Sequence, residues 1–503
     1  MNGNGVIANG DVPVSKRSWA MAKRASCYES ELEAHNRRER CAVRMAMFVG
    51  ELLYERGVEL VLFRKHLSDA STAELLGFHA YAAEVVKKPI DIESTTQMAE
   101  ALTQIDLAPA KLDVGLLAYQ WKTEANGMTK LEFLQDRLAT FTKAHEIPFK
   151  PRDVVLFGFG RIGRLAAREL IRQAGKGQQL RLRAIVTRDK KPEDIVKRAA
   201  LLSHDSVHGN FKGIVEYDIE SQTLCVNGQV IQMISAAQPE DIDYVKYGID
   251  NALIIDNTGA FRDFDALSRH HKSEGVNKIL LTAPGKGVPN VVYGINHEQL
   301  NVKDDHIFSA ASCTTNAISP VLKVIDDVFG VRSGHIETCH SYTNDQSLLD
   351  NFHKKERRGR SAALNMVLTE TGAAKAVPRV IPTLEGKLTA HAIRVPTPNA
   401  SLAILQLRLN RNVDVAEVNE AVRQASVSGD LVNQIHYSID PELVSNDVIG
   451  NSCCAVFDSV ASIQGAEPDT VMLYVFYDNE FGYTRQVMRL AKHITGVRRK
   501  IYY

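Results

Sequence analysis

Residues 153–175 read DVVLFGFGRIGRLAARELIRQAG, and the order of residue types in that stretch decides the fold. A short apolar run comes first, then three closely spaced glycines, then a segment with helical periodicity. The reading is a buried strand, a tight turn and a helix. Gly158, Gly160 and Gly163 have G-x-G-x-x-G spacing. The first glycine permits the tight turn, the second lets the backbone approach a pyrophosphate, and the third lets helix and strand pack closely. Arg161 and Ile162 fall at the start of the helix, where free N–H groups and the positive end of the dipole face a phosphate. The stretch therefore predicts a dinucleotide-binding strand–turn–helix.

Downstream, RLRAIVT, ALIIDNTG and KILLTAPG repeat the strand-then-turn pattern and predict a parallel sheet with helical crossovers. A dinucleotide fold expects an acidic residue at the end of the second strand, to bind the ribose hydroxyls. Here the strand ends AIVTRD, with Thr187 and Arg188 first and Asp189 slightly late. An arginine can accept a 2′-phosphate, so the cofactor is read as NAD or NADP. After Cys313 the strands lengthen and partly alternate (HIETCHSYT, GKLTAHAIRVPTP, SLAILQLRL, TVMLYVFYD), which predicts a second, mostly antiparallel sheet. The tail TRQVMRLAKHITGVRRK reads as a basic amphipathic helix with Val487, Leu490 and Ile494 inward and a solvated cationic face.

Upstream, residues 1–17 are rich in Gly, Asn and small side chains and predict a disordered tip. From Ser18 to His145 the pattern is helical. CAVRMAMFVGELLYERGVELVLF places Val43, Met47, Leu52 and Leu53 near one side, and further helices are expected in TAELLGFHAYAAEVV and around Leu131, Phe133 and Leu134. Strand signals are nearly absent there. EIPFKPR, at 146–152, has the prolines of a linker. The expected fold class is thus α/β: a Rossmann dinucleotide-binding domain over 151–312 and an α+β catalytic domain over 313–480. A small helical extension over 1–150 precedes them, and a C-terminal helix over 481–503 returns to the cofactor domain.

Composition bounds the function. The 503 residues carry 60 basic and 60 acidic side chains, with no formal net charge. Balanced charge argues against bulk nucleic-acid binding. No apolar run approaches the roughly 20 residues of a membrane span. The first residues lack the apolar core of a secretory signal. Seven cysteines form no disulfide framework, and an odd count favours a reducing, cytoplasmic compartment.

The sharpest chemical feature is SAASCTTNAISP. Cys313 lies between the strand-like HIFSA and the helix-like NAISPVLKVIDDVF. A cysteine at a helix N-terminus has its thiolate stabilised by the dipole, and the backbone amides there can hold an oxyanion. ETCHSYTNDQ supplies His340 as a base, which need not be close in sequence. Cys339 and His340 are adjacent on a strand and point to opposite faces. No second Cys/His pair has zinc spacing, so no metal site is expected. Cys453 and Cys454 read as structural.

With GFGRIGR, SHDSVHG, INHE, SCTTN, HSYT, RRGRSAA, TGAAKAV, AIRVPT and YDNEFGY in this order over about 350 residues, the chain from Asp153 onward resembles the phosphorylating glyceraldehyde-3-phosphate dehydrogenases. The resemblance implies that Cys313 attacks an aldehyde carbon, that His340 is the base, and that a thioester then yields to inorganic phosphate. It implies that Asn479 hydrogen-bonds the nicotinamide carboxamide with Tyr483 nearby, and that Thr258, Gly259 and Thr282 flank the cofactor. It implies that Ser312, Thr314, Thr343, Arg358, Thr371 and Arg394 hold the phosphate of a small phosphorylated aldehyde and the attacking phosphate. A homotetramer is the oligomer it implies. The closest rival within the enzyme class is erythrose-4-phosphate dehydrogenase; the rival of another class is a regulatory binding protein acting through the extension. Departures are Thr187 where NAD-specific members have aspartate, Gly359 where alanine is common, and Ala317 where a second cysteine is frequent. The first 150 residues match nothing in the family's core.

Overall fold

The computed structural model describes residues 24–146, 148, 150–189 and 191–503. The expected disordered tip at 1–17 lies outside the described residues. The chain divides into two compact units. One comprises Pro151–Ala174 and Gln179–Val497; the other joins the N-terminal segment through Lys150 to Gly175–Gln178 and Arg498–Tyr503.

The first unit begins with the strand Arg152–Phe157, whose last four residues are buried, and continues through the glycine turn into the helix Arg161–Arg172. This strand lies inside an eight-stranded sheet. On one side it pairs with Leu180–Thr187 and then Gln229–Ser235; on the other it pairs with Ala252–Asp256, Val276–Leu281 and Ile307–Ser309, and all of these run parallel. Two short antiparallel strands, Thr223–Val226 and Val215–Asp218, finish one edge. The order reverses between Arg152–Phe157 and Ala252–Asp256. In open parallel sheets the crevice beyond such a reversal is the ligand site, and the glycine turn opens there. One face of the sheet is packed by Val155, Phe157, Val186, Ile254 and Ile279 against Tyr244 and Leu267.

The second sheet of this unit has seven strands in the order Val367–Thr369, Leu388–Val395, Val331–Ser341, Ser401–Leu409, Thr470–Tyr477, Ala455–Gln464 and Ile435–Ser438. Four of its six pairings are antiparallel, and two, Val331–Ser341 with Leu388–Val395 and Ile435–Ser438 with Ala455–Gln464, are parallel. The helix Cys313–Phe329 packs on this sheet with twelve of its residues buried. Its first turn is therefore held in place by the core behind it.

The C-terminal segment differs from the single helix expected over 481–503. The helix covers Phe481–Ile494, with Val487, Leu490 and Ile494 buried as expected. Gly496, at φ 70°, turns the chain out of it. Lys500–Tyr502 then form a strand that pairs in parallel with Ala110–Asp113. Val497 is the last residue of the first unit, so the chain end belongs to the second.

That second unit carries the helices expected of the extension, including Arg24–Glu51, Thr72–Glu84, Ile92–Leu102, Val114–Glu124 and Lys130–Arg137. It also contains a four-stranded sheet that the helical reading did not include, in the order Lys500–Tyr502, Ala110–Asp113, Glu59–Leu62, Lys65–His66. Its strands have two to four residues, too short for a period to show. The apolar run VELVLF continues a helical pattern, but Gly57, at φ 71°, ends the helix and starts the strand. The expected apolar face of the first helix is corrected too. Leu52 and Leu53 are buried, whereas Val43 and Met47 are 59% and 57% exposed, and Ala42, Met45, Phe48 and Val49 face inward instead. Among the described residues no helix is long and apolar enough to cross a membrane.

Candidate active site

Cys313 is the first residue of its helix. Ser312 is the N-cap, and its hydroxyl accepts from the Thr315 amide at 3.0 Å. The earliest amides of the turn, those of Cys313 and Thr314, are directed at the Cys313 sulfur. The preceding Ala311, at φ 54°, makes the sharp approach from the strand Ile307–Ser309. His340 is the penultimate residue of Val331–Ser341 and lies in register with Arg394 on the parallel neighbour. Its Nε2 is 3.6 Å from Cys313 Sγ. The two residues that were paired on chemistry alone are therefore in contact.

The imidazole's orientation follows from its other nitrogen. His340 Nδ1 is 2.7 Å from the Ser341 carbonyl oxygen, which can only accept. The proton is thereby assigned to Nδ1, and Nε2 offers its lone pair to the sulfur. Arg394 Nη1 donates to the same carbonyl at 2.9 Å and stands 2.8 Å from Nδ1. Burial, reinforced by the Arg394 charge, pulls His340 down to about 4. Burial pushes the Cys313 thiol up, against the opposing pull of Arg394 and the Thr314 contacts. Both shifts favour the neutral pair. Burial thus opposes the stabilisation that the helix terminus offers a thiolate. Tyr477 closes the pocket with its ring 5.9 Å from that of His340 and its hydroxyl 3.0 Å from Thr314 Oγ1.

The glycine turn has the geometry that its three positions require. Gly158 has φ 97°, a region that side-chain-bearing residues avoid. A Cβ on Gly160 would meet nothing within 4 Å, whereas one on Gly163 would lie 2.3 Å from the Gly158 carbonyl oxygen. Open space at the second glycine and close packing at the third fit a dinucleotide pyrophosphate against the first-turn amides of Arg161, Ile162 and Gly163. The Arg161 side chain is engaged elsewhere. It donates to Glu480 at 2.6 and 2.9 Å and to Asp205 at 2.7 Å. His208 Nε2 meets the same Glu480 at 2.9 Å. Three strings of the sequence, GFGRIGR, SHDSVHG and YDNEFGY, are thus tied into one brace.

At the end of the second parallel strand, the Thr187 hydroxyl donates to Asp189 at 2.8 Å, and Arg198 Nε donates to the same carboxylate at 2.9 Å. Arg188 is exposed. The late aspartate therefore does place a carboxylate at the strand end. Thr258, Gly259 and Thr282 gather around Asp256. The Thr258 amide and hydroxyl donate to its Oδ1 at 2.8 and 2.7 Å, and the Thr282 hydroxyl donates to its backbone carbonyl at 3.0 Å. Gly259 turns the loop at φ 65°. The other Asp256 oxygen is 3.0 Å from His270 Nε2. Both side chains are fully buried, and neither was singled out from sequence, where a strand-end aspartate and a helical histidine carry no pattern. Asn479 Oδ1 accepts from the Ser401 hydroxyl at 3.0 Å, which fixes the amide with its nitrogen as the donor end. The Tyr483 hydroxyl donates to the Ala311 carbonyl at 3.0 Å, two residues before Cys313.

Of the six residues expected to hold anions, Thr343, Arg358 and Arg394 meet beside His340. Arg394 Nη1 is 3.4 Å from the Thr343 hydroxyl. Arg358 donates to Thr369 Oγ1 at 3.0 and 3.3 Å and forms an ion pair with Asp345. Thr343 also donates to Asp345. Ser312 and Thr314 flank Cys313, with hydroxyls bonded to Thr315 and Tyr477. The Thr371 hydroxyl accepts from the Ala373 amide at 3.3 Å and makes none of these contacts. Asp345 and Tyr477 are the site residues that sequence reading missed. Each lies inside a quoted motif, but as a spacer position.

Residues 152–264 match the family model described as the glyceraldehyde 3-phosphate dehydrogenase NAD binding domain, and residues 312–479 match that described as its C-terminal domain. A protein of Pseudomonas aeruginosa named glyceraldehyde-3-phosphate dehydrogenase-like protein is 46% identical over 90% of this chain and 98% of its own length. An alignment of 457 residues reaches into the N-terminal extension. Glyceraldehyde-3-phosphate dehydrogenase 2 of Trichormus variabilis is 40% identical over 67% of this chain and 97% of its own. The chloroplastic glyceraldehyde-3-phosphate dehydrogenase A of Zea mays is 41% identical over 67% of this chain and 81% of its own.

Proposed function

The chain belongs to the glyceraldehyde 3-phosphate dehydrogenase family, and from that premise we propose that it oxidises glyceraldehyde 3-phosphate with inorganic phosphate to an acyl phosphate. The observation that carries this reading is the 3.6 Å contact between Cys313 Sγ and the unprotonated His340 Nε2. As the sulfur bonds to the aldehyde carbon, His340 takes the thiol proton and passes it to the developing alkoxide, giving a hemithioacetal. The imidazole then removes the hemiacetal O–H proton as the C–H bond breaks. A bound nicotinamide supplies the acceptor for that hydride. Cys313 is left as a thioester. Phosphate attacks its carbonyl carbon, the C–S bond breaks, and the sulfur regains a proton from His340. The first-turn amides beside Cys313 stabilise the negative oxygen at each addition.

NAD is the preferred cofactor in this reading, because the Asp189 carboxylate at the strand end repels a 2′-phosphate; exposed Arg188 is the group through which NADP would compete. Arg394 supports an anion role: its Nε is buried and has no partner, a donor set free for a phosphate oxygen. The exposure of Leu348, Leu349, Phe352, Leu364 and Met366, each above 70%, supports a homo-oligomer, with the tetramer as the family expectation. Among the described residues the six cysteines form no disulfide, which accords with a reducing cytoplasm.

The test follows NADH and NADPH formation with glyceraldehyde 3-phosphate and with erythrose 4-phosphate, with and without inorganic phosphate. A strong phosphate requirement with the triose supports the reading. Phosphate-independent oxidation of the tetrose transfers the site to the rival dehydrogenase. Full biological function of Cys313→Ser would assign the protein a regulatory role through its extension.

A further inference from the structure

The three side chains that converge beside His340 for an anion already have one. Asp345 lies two residues beyond Thr343, in the segment that follows the strand Val331–Ser341. Its carboxylate accepts from the Thr343 hydroxyl and pairs with the Arg358 guanidinium. Arg358 is held from the other side by Thr369 Oγ1 at 3.0 and 3.3 Å, and its side chain is only 12% exposed. The Asp345 side chain is 43% exposed, so it reaches in from the solvent side. Although burial acts to raise it, the Thr343 hydroxyl and the Arg358 and Arg394 charges hold Asp345 below the usual carboxylate range. It is therefore ionised at every pH at which the proposed chemistry runs. Arg394, 3.4 Å from Thr343, keeps a buried Nε without a partner, and the neighbouring Gln346 amide is buried with neither end bonded. The pocket has donors left over for a ligand, yet its principal guanidinium is capped by the protein's own anion.

We propose that Asp345 is a specificity-determining residue whose carboxylate occupies the substrate's anion seat on Arg358 and Thr343. The inference rests on the dehydrogenase reading of this same site. A phosphorylated aldehyde must displace the carboxylate, rotating it toward solvent, before its phosphate can reach Arg358. An aldehyde with an uncharged tail binds without that exchange. The internal anion thus handicaps phosphorylated substrates relative to neutral ones and lowers the selectivity that the arginines would otherwise confer. Two like-charged groups cannot share one guanidinium fork without a Coulombic cost. Displacement also trades one ion pair for another, so added salt should not relieve the handicap as it would a screened surface repulsion.

Asp345→Asn keeps shape and removes the charge. With the holoenzyme, KM for glyceraldehyde 3-phosphate should fall about tenfold relative to KM for unphosphorylated glyceraldehyde. A merely structural Asp345 would move both substrates together. A second readout needs no turnover: inorganic phosphate should raise the melting temperature of Asp345→Asn at lower concentration than that of the wild type. Asp345→Ala should behave as Asp345→Asn does. An unchanged or higher KM for the phosphorylated aldehyde, with phosphate binding no tighter, overturns the proposal. If the wild type oxidises neither aldehyde, the dehydrogenase reading fails, and the phosphate-dependent melting shift still decides the role of Asp345.

Discussion

At the scale of single residues, burial of Cys313 and His340 weighs against charge on either group, disfavouring the thiolate of the first and the imidazolium of the second. His340 is unprotonated above pH of about 4, so its basicity does not limit activity at neutral pH. The pH dependence falls on the thiol. Because its folded-state value is raised, the thiolate fraction grows only as pH rises past the ordinary cysteine range. Alkylation of Cys313 by iodoacetamide should therefore climb steadily with pH on the alkaline side, and a plateau extending down to mildly acid pH would contradict the neutral pair. His340→Asn keeps the size and removes the base; kcat should drop by about 10²–10⁴-fold, while NAD affinity is retained. The two residues were legible in sequence because SCTTN and HSYT are local strings. The Ser341 carbonyl, which sets the tautomer, belongs to the next residue, whereas Arg394 reaches the imidazole through a parallel pairing 54 residues away, and no local pattern announces that contact.

At the scale of elements, the glycine turn is where sequence and structure agree most closely. Gly158, at positive φ, and Gly163, packed against the Gly158 carbonyl, each meet a demand that only glycine satisfies, while Gly160 leaves open space beside the backbone, and this is why the strand–turn–helix reading over 153–175 needed no tertiary information. Gly163→Ala should cost about 1–3 kcal/mol of stability, since its Cβ must push against the Gly158 carbonyl; it should weaken NAD binding with the helix start displaced. Thermal unfolding with and without NAD measures both. The Arg161–Glu480–His208 brace is the opposite case. Glu480 lies 319 and 272 residues from Arg161 and His208, so each was visible as a motif and none as a partner. Glu480→Gln should raise KM for NAD with little effect on kcat, because the brace touches the helix that carries the turn and not Cys313. The short strands Glu59–Leu62 and Ala110–Asp113 were missed for a different reason. Four residues in a strand give two per face, and VELVLF is apolar on both faces, so it reads as a continuation of the helix before it.

At the scale of the whole molecule, the chain passes from one compact unit to the other between Lys150 and Pro151, but it does not do so only once. Arg498–Tyr503 return to the N-terminal unit as a strand, a long-range pairing to which three residues of sequence give no clue. The dehydrogenase unit has its own two sheets and buried cores, so removing residues 1–150 together with 498–503 should leave a soluble protein that binds NAD; aggregation or loss of the NAD-dependent melting shift would show that the units fold only together. Removing 1–150 alone leaves the last strand without its partner Ala110–Asp113 and should give a less soluble product. The measurement that bears most directly on the central claim is mass spectrometry of the protein after acid quench, following incubation with glyceraldehyde 3-phosphate and NAD in the absence of phosphate. The account predicts a glyceroyl-phosphate adduct confined to the peptide containing Cys313, lost on addition of inorganic phosphate. Aldehyde-dependent NADH formation with that peptide unmodified, or its persistence in Cys313→Ser, would contradict it.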